Sequence, residues 1–258
     1  MSIERFAVVS CSHAPLHDDL AHQWAAREIQ QRKPTIVVHI GDLLEAQAAA
    51  RFQNEGRWTL EEEYIAGDDI LRELREASPR ARHIFLPGNH DFNIRAQARI
   101  PYAFRSLVDY RNHISELRDH NWEQPVETYT YDYNRGVFRL GQIVMGHGWA
   151  TGQSADKQQT LDLAIPYGLG IFGHTHRPKP VTQVMQNMST PLPYWYANPG
   201  TLRNVVDSIE WMNRNRKHQW GQGMVVGEVK LYDDDNKIPS APEWEAETVI
   251  FKMFKEIQ

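Results

Sequence analysis

A layered α/β fold, with helices covering a central sheet, is what the sequence predicts, and two observations carry that expectation. Five short runs, "RFAVVS", "TIVVHI", "RHIFLP", "GQIVMG" and "LGIFG", are nearly continuous in apolar residues and bounded by Gly, Pro or Ser. Strands buried on both faces have this character, since neither face alternates with a polar one. Helical patterns separate several of the runs.

The first helix is expected in "HDDLAHQWAAREIQQR", which has acids at its start and bases at its end, as the helix dipole favours. The second is expected in "TLEEEYIAGDDILRELREAS", opened by Thr59 and Glu62 at capping-box spacing. Further on, "ETYTYDYNRGVFRLG" alternates and turns at Asn134, Arg135 and Gly136, which predicts an antiparallel hairpin. The Tyr-, Phe- and Arg-rich stretch from 100 to 135 reads as a lid or edge. Beyond it, "PVTQVMQ", "PYWYAN", "GMVVGEVKLY" and "TVIFKMF" read as strands with few helices between them, and "DDDNKIPSAPEWE" as a surface loop. "GQGMVVG" has the wrong spacing for a phosphate loop and precedes a strand, so it reads as a turn. No internal repeat or boundary is evident, and a single domain over 1–258 is expected.

With 258 residues and 41% apolar content the chain can bury a substantial core. A net charge of −5 argues against broad adhesion to nucleic acid or anionic membrane and suits small substrates. One cysteine, Cys11, excludes an internal disulfide, and "MSIERFAVVSCSHAP" lacks a cationic and apolar leader, so a reducing cytoplasm is expected. No apolar run reaches the roughly 18 residues of a spanning helix, so a soluble protein without membrane contact is expected.

Each buried run is followed at once by metal-binding residue types. "VVSCSH" delivers Cys11 and His13, "HIGD" Asp42, "LPGNHD" Asn89, His90 and Asp91, "VMGHG" His147, and "IFGHTH" His174 and His176. In open α/β sheets the carboxyl ends of strands form the ligand crevice, so residues far apart in sequence converge there. Imidazoles, carboxylates and an amide oxygen suit divalent Zn, Mn, Fe or Ni, and a carboxylate such as Asp42 can bridge two ions. Glycine before Asp42, Asn89, His147 or His174 permits a sharp turn and close approach.

The ordered set "CSH" at 11–13, "GD" at 41–42, "GNHD" at 88–91, "GH" at 146–147 and "GHTH" at 173–176 resembles that of calcineurin-like metallophosphoesterases. "NPGT" at 198–201 resembles the family's Asn-Pro-Gly-Ser turn. The resemblance runs from about residue 6 to 202 and implies mixed β-sheets sandwiched by helices. It also implies two divalent metal ions, one held by Cys11, His13, Asp42 and His176, the other by Asp42, Asn89, His147 and His174. By the same likeness His90 is the catalytic proton donor, with Asp91 orienting or tuning its ring, and the substrate is a phosphate ester. One departure stands out: Cys11 occupies the place of the family's aspartate, which implies a softer first site or a weakened one.

Outside these motifs His17, His22, His39, His83, His113, His120 and His218 read as ordinary core or surface residues, His39 being at most a supporting neighbour of Asp42. A Cys11–His13 nucleophile pair is disfavoured, because two such close residues on an extended segment reach a common ion more readily. Arg177 and Arg203 are placed to clamp a substrate phosphate, with a structural salt bridge as the alternative. "EWMNRNRKHQWGQG" interleaves cations with Trp211 and Trp220, a composition of nucleic-acid grooves, although nucleic acid is not the favoured partner. After "GD" the chain reads "LLEAQ" and lacks the protein phosphatase signature, so a small-molecule or nucleotide-type ester is favoured. A nuclease, or a non-catalytic binding module on the same fold, is the competing expectation.

Overall fold

The computed structural model describes residues 2–49, 58–96, 101–118, 126–164, 166–185, 192–205, 219–231, 244 and 248–254. The chain begins with β1 (Ser2–Val9), α1 (Asp19–Arg32), β2 (Ile36–His39), α2 (Leu60–Ala77) and β3 (Arg82–Phe85). α3 (Asn89–Ala96), a 3-10 helix (Tyr102–Val108), α4 (Tyr110–His113), α5 (Ser115–Arg118) and β4 (Glu127–Thr128) follow. Then come β5 (Val137–Leu140), β6 (Ile143–Gly146), α6 (Ala155–Leu163), β7 (Leu169–Phe172), β8 (Lys179–Gln183) and β9 (Trp195–Asn198). β10 (Gly223–Leu231) and β11 (Ile250–Met253) complete the set.

These strands form two mixed sheets, ordered β11-β10-β1-β2-β3-β4 and β5-β6-β7-β9-β8. β1 to β4 run parallel, as do β6, β7 and β9, so both sheets send carboxyl ends to one rim. Alternation along β1 explains the layering. Phe6 and Val8 enter a core shared with Phe138, Leu140, Met145 and Ile171 of the second sheet. Ala7 and Val9 face Ala25 and Ile29 of α1 and Leu71 and Leu74 of α2. Behind the second sheet, Leu163 of α6 packs on Val144 and Phe172. The order is therefore helices, sheet, sheet, helix, and every central strand is covered on both sides, as its unbroken apolar run requires.

Local signals hold where caps are explicit. Asp18 accepts from the amides of Leu20 and Ala21 to start α1, and Thr59 and Glu62 form the expected capping box. One expectation is overturned: β4 and β5 do not pair as a hairpin, because β4 joins β3 in the first sheet and β5 joins β6 in the second. The alternation of Phe138 and Leu140 records burial against the shared core, not the identity of the partner strand. The turn itself exists, with Asp132 Oδ1 accepting from the amides of Asn134 and Arg135, and it carries the chain between sheets. α6 adds a helix that the sequence does not announce. Its buried residues include Asp156, Gln159 and Thr160, so no apolar stripe marks it. No helix among the described residues is long and apolar enough to cross a membrane.

Candidate metal centre

The loops leaving β1 and β2 run side by side, with Cys11 N donating to Gly41 O at 2.9 Å and His13 N to Asp42 O at 2.9 Å. This pairing brings Cys11 and His13 against Asp42. Five of the motif residues adopt left-handed backbone: Cys11 (φ 55°), His13 (φ 53°), Asp42 (φ 49°), His174 (φ 62°) and His176 (φ 57°). Non-glycine residues avoid that region at a cost of about 1 kcal/mol or more each, so such clustering marks a site whose surroundings enforce it. A Cβ on Gly88 would fall inside the Asp42 carboxylate and its amide, so only glycine lets the loop after β3 pass. The "NPGT" turn joins the rim from behind. Asn198 Nδ2 donates to Gly173 O at 3.1 Å, Ser10 Oγ to Gly200 O at 2.8 Å, and Thr201 Oγ1 to Cys11 O at 2.6 Å.

Among the described residues two clusters meet at Asp42, each with ligand atoms mutually within 4.8 Å: Cys11, His13, Asp42 and His176, and Asp42, His147 and His174; a third, of His13, Glu45 and His90, shares His13 with the first. His147 Nδ1 donates to Ile40 O at 2.9 Å, which turns Nε2 toward Asp42 Oδ2 at 3.2 Å. The same Nε2 lies 3.1 Å from Asn89 Oδ1 and 3.2 Å from His174 Nδ1. In the other cluster His13 Nδ1 donates to Glu45 Oε2 at 2.7 Å, so its Nε2 faces His176 Nε2 at 3.0 Å. Imidazole nitrogens converging on one shared carboxylate are donor chemistry that fits divalent ions.

Electrostatics agree. Burial pushes the Cys11 thiol up, but the charge of His176 and hydrogen bonds with His13, His147 and His176 hold it well below the usual thiol range. Burial likewise opposes ionisation of Asp42, yet the rings of His147 and His90 keep it well below the ordinary carboxylate value. His13 is pushed up to about 9, Cys11 and Glu45 outweighing burial, whereas burial and the His147 charge lower His174 to about 4.

Around this centre lie residues that strand-end reasoning does not single out. Glu45, 2.7 Å from both His13 Nδ1 and Arg203 Nη1, is held down to about 2 by His13 and Arg203 against the effect of burial. His39 Nε2 and His22 Nε2 both meet Ser12 Oγ, at 2.9 and 3.0 Å, beneath the first cluster. Only "GDLLE", an acid three residues beyond Asp42, could have signalled Glu45.

His90 sits at the start of α3, its ring 4.8 Å from that of His13. Its amide donates to Asp42 Oδ1 at 2.9 Å and its Nδ1 to Glu45 O at 2.7 Å. Asp91 differs from expectation, because its carboxylate accepts from the amides of Gly88, Leu43 and Leu44 at 2.8, 3.3 and 3.0 Å. It braces two loops and does not orient the His90 ring, since the helical turn directs successive side chains apart. Burial, and then Asp42, push Asp91 up to about 6. Arg203 takes the salt-bridge alternative: it is 2% exposed and bound to Glu45. Arg177 beside His176 keeps Nε and Nη1 without a hydrogen-bond partner among the described residues. His120, Trp211, His218 and the cations between 214 and 217 lie outside the described residues.

A family model described as a calcineurin-like phosphoesterase superfamily domain matches residues 5–212. Among solved structures the chain is similar to Yfce, a phosphoesterase from E. coli, at 16% identity over 89% of this chain and 94% of that one, with a TM-score of 0.39. It is also similar to Vps29 complexed with Zn+2 from Entamoeba histolytica, at 17% identity over 89% and 87% of the two chains, TM-score 0.38. Vps29 from Chaetomium thermophilum matches at 13% identity over 97% and 93%, TM-score 0.39. No curated protein matches the chain.

Proposed function

Because the chain belongs to the calcineurin-like phosphoesterase superfamily, we propose that it is a two-metal hydrolase of small-molecule or nucleotide-type phosphate esters, working as a single domain. The observation carrying this reading is the pair of clusters joined by Asp42, the donor set that two divalent ions sharing a carboxylate require. Cys11, His13, Asp42 and His176 would hold one ion, and Asp42, Asn89, His147 and His174 the other. Divalent ions held there would supply an activated water and charge neutralisation at the phosphoryl oxygens.

The chain's own residues do the rest. His90 has Nδ1 engaged on Glu45 O, so Nε2 is the nitrogen left to give a proton to the departing oxygen. Glu45 fixes the His13 ring through Nδ1, and the Ile40 carbonyl does the same for His147. Asp91 keeps the loops after β2 and β3 in register, so that Asn89 and Asp42 stay together.

The test is add-back of Mn, Zn, Ni or Fe to chelator-treated protein, assayed on p-nitrophenyl phosphate and its bis ester. Turnover is expected with at least one metal, and its absence with all four in folded protein would favour a binding module. His90→Ala is expected to lower kcat by about 10²- to 10⁴-fold while metal content is kept. An unchanged kcat would remove His90 from its role.

A further inference from the structure

Two pairs of aromatic rings stand near the candidate metal centre and are used by nothing described so far. Tyr131 lies with its ring centroid 6.2 Å from His147 and 5.4 Å from Phe92. Phe92 follows His90 by two residues on α3. Tyr133 leans on Trp149 at 4.0 Å, and Trp149 follows His147 by two residues. Phe92 and Tyr133 are 38% and 41% exposed, so part of each ring faces solvent.

The segments carrying both pairs are tied down by hydrogen bonds. Asp132 Oδ1 pins the turn between Tyr131 and Val137 through the amides of Asn134 and Arg135, at 2.9 and 2.8 Å. A Cβ on Gly136 would strike the carbonyl oxygens of Thr130 and Asp132, so the turn closes only with glycine there. Gln159, fully buried on α6, accepts from the amides of Trp149 and Ala150 at 2.6 and 3.0 Å. One edge of Trp149 packs on the Val144, Leu163 and Phe172 cluster. Rigid rings lose little entropy when a planar ligand stacks on them.

We propose that Phe92, Tyr131, Tyr133 and Trp149 form a stacking subsite for the planar aromatic part of the substrate, making a nucleoside phosphate the favoured ester class. The inference rests on the phosphoesterase reading of the metal centre. A phosphoryl group at that centre, with its ester oxygen toward His90, leaves the rest of the molecule to extend along the rings beside His147. Stacking contributes roughly 5- to 150-fold in affinity for one base on one ring.

The experiment compares the hydrolysis-resistant methylene phosphonates of AMP and of ribose 5-phosphate, titrated calorimetrically into manganese-loaded protein. The AMP phosphonate is expected to bind at least about 5-fold tighter. Tyr131→Leu and, separately, Tyr133→Ala are expected to shrink that preference by weakening the AMP phosphonate alone. Equal affinity for the two phosphonates, no affinity for either, or a preference untouched by both substitutions overturns the proposal. Manganese titrated alone reports on the ion-binding reading, so its failure is seen separately from that of the subsite.

Discussion

Replacing Glu45 by Gln keeps the shape of the side chain and removes its charge, and the structure gives the consequence a size. Arg203 is 2% exposed and the Glu45 side chain 13%, so solvent screens their 2.7 Å contact little. Breaking a buried pair by neutralising one partner strands the other charge, at a cost of about 3–5 kcal/mol. Against the roughly 5–15 kcal/mol that holds a domain folded, this leaves a folded but weakened protein. Glu45 Oε2 also accepts from His13 Nδ1, so ion affinity should fall about 10- to 100-fold for want of that outer partner. The double substitution Glu45→Gln with Arg203→Met separates the two effects. Removing both charges should return stability to within about 2 kcal/mol of wild type, while ion affinity stays low. Urea unfolding of chelator-treated protein and calorimetric manganese titration read the two quantities. A Glu45→Gln loss below about 0.5 kcal/mol, or a double variant losing the sum of its singles, refutes the reasoning.

Cys11→Asp is expected to move metal preference toward Mn and Mg, measured as bound metal after equilibration with a mixture; unaltered stoichiometry and preference would show that Cys11 is not a ligand. Gly88→Ala is expected to displace Asp42 and lower ion affinity by about tenfold or more, with about 1–3 kcal/mol lost in urea unfolding, because the added methyl overlaps the carboxylate. Wild-type affinity in that variant would mean the loop gives way freely. Burial raises the Glu28 carboxyl, but hydrogen bonds from Lys252 and Arg32 bring it below its usual value. A lowered folded-state value stabilises above the unfolded value of about 4.3, and the contribution is lost as pH falls through the folded one. The urea midpoint of Glu28→Gln should thus lie below wild type at pH 7 and close on it as pH falls below the unfolded value; a gap that stays constant through that acid range contradicts this.

Legibility follows the range of each interaction. β1, β2, β3, β6 and β7 can be read because burial on both faces leaves an unbroken apolar run, and the metal-ligand types can be placed because a strand end is a fixed point. Thr59 and Glu62 are legible because a cap is settled within one turn. Partner choice is not: Val137 to Leu140 shows which face is covered, and nothing local distinguishes β4 from β6 as its neighbour. Asp91 misleads because adjacency in sequence implies contact with His90, whereas its carboxylate is used by amides from Leu43, Leu44 and Gly88. The pairing of Glu45 with Arg203 is invisible locally because it spans 158 positions.

His147 directly follows β6 of the second sheet, yet its Nδ1 is tied to Ile40, the residue just after β2 of the first. Alignment at the rim and the pose of one sheet over the other are consequently a single mechanical variable. Methyl groups midway between the sheets, on Val8, Val38 or Met145, then act as shims, and trimming one can detune chemistry that it never touches.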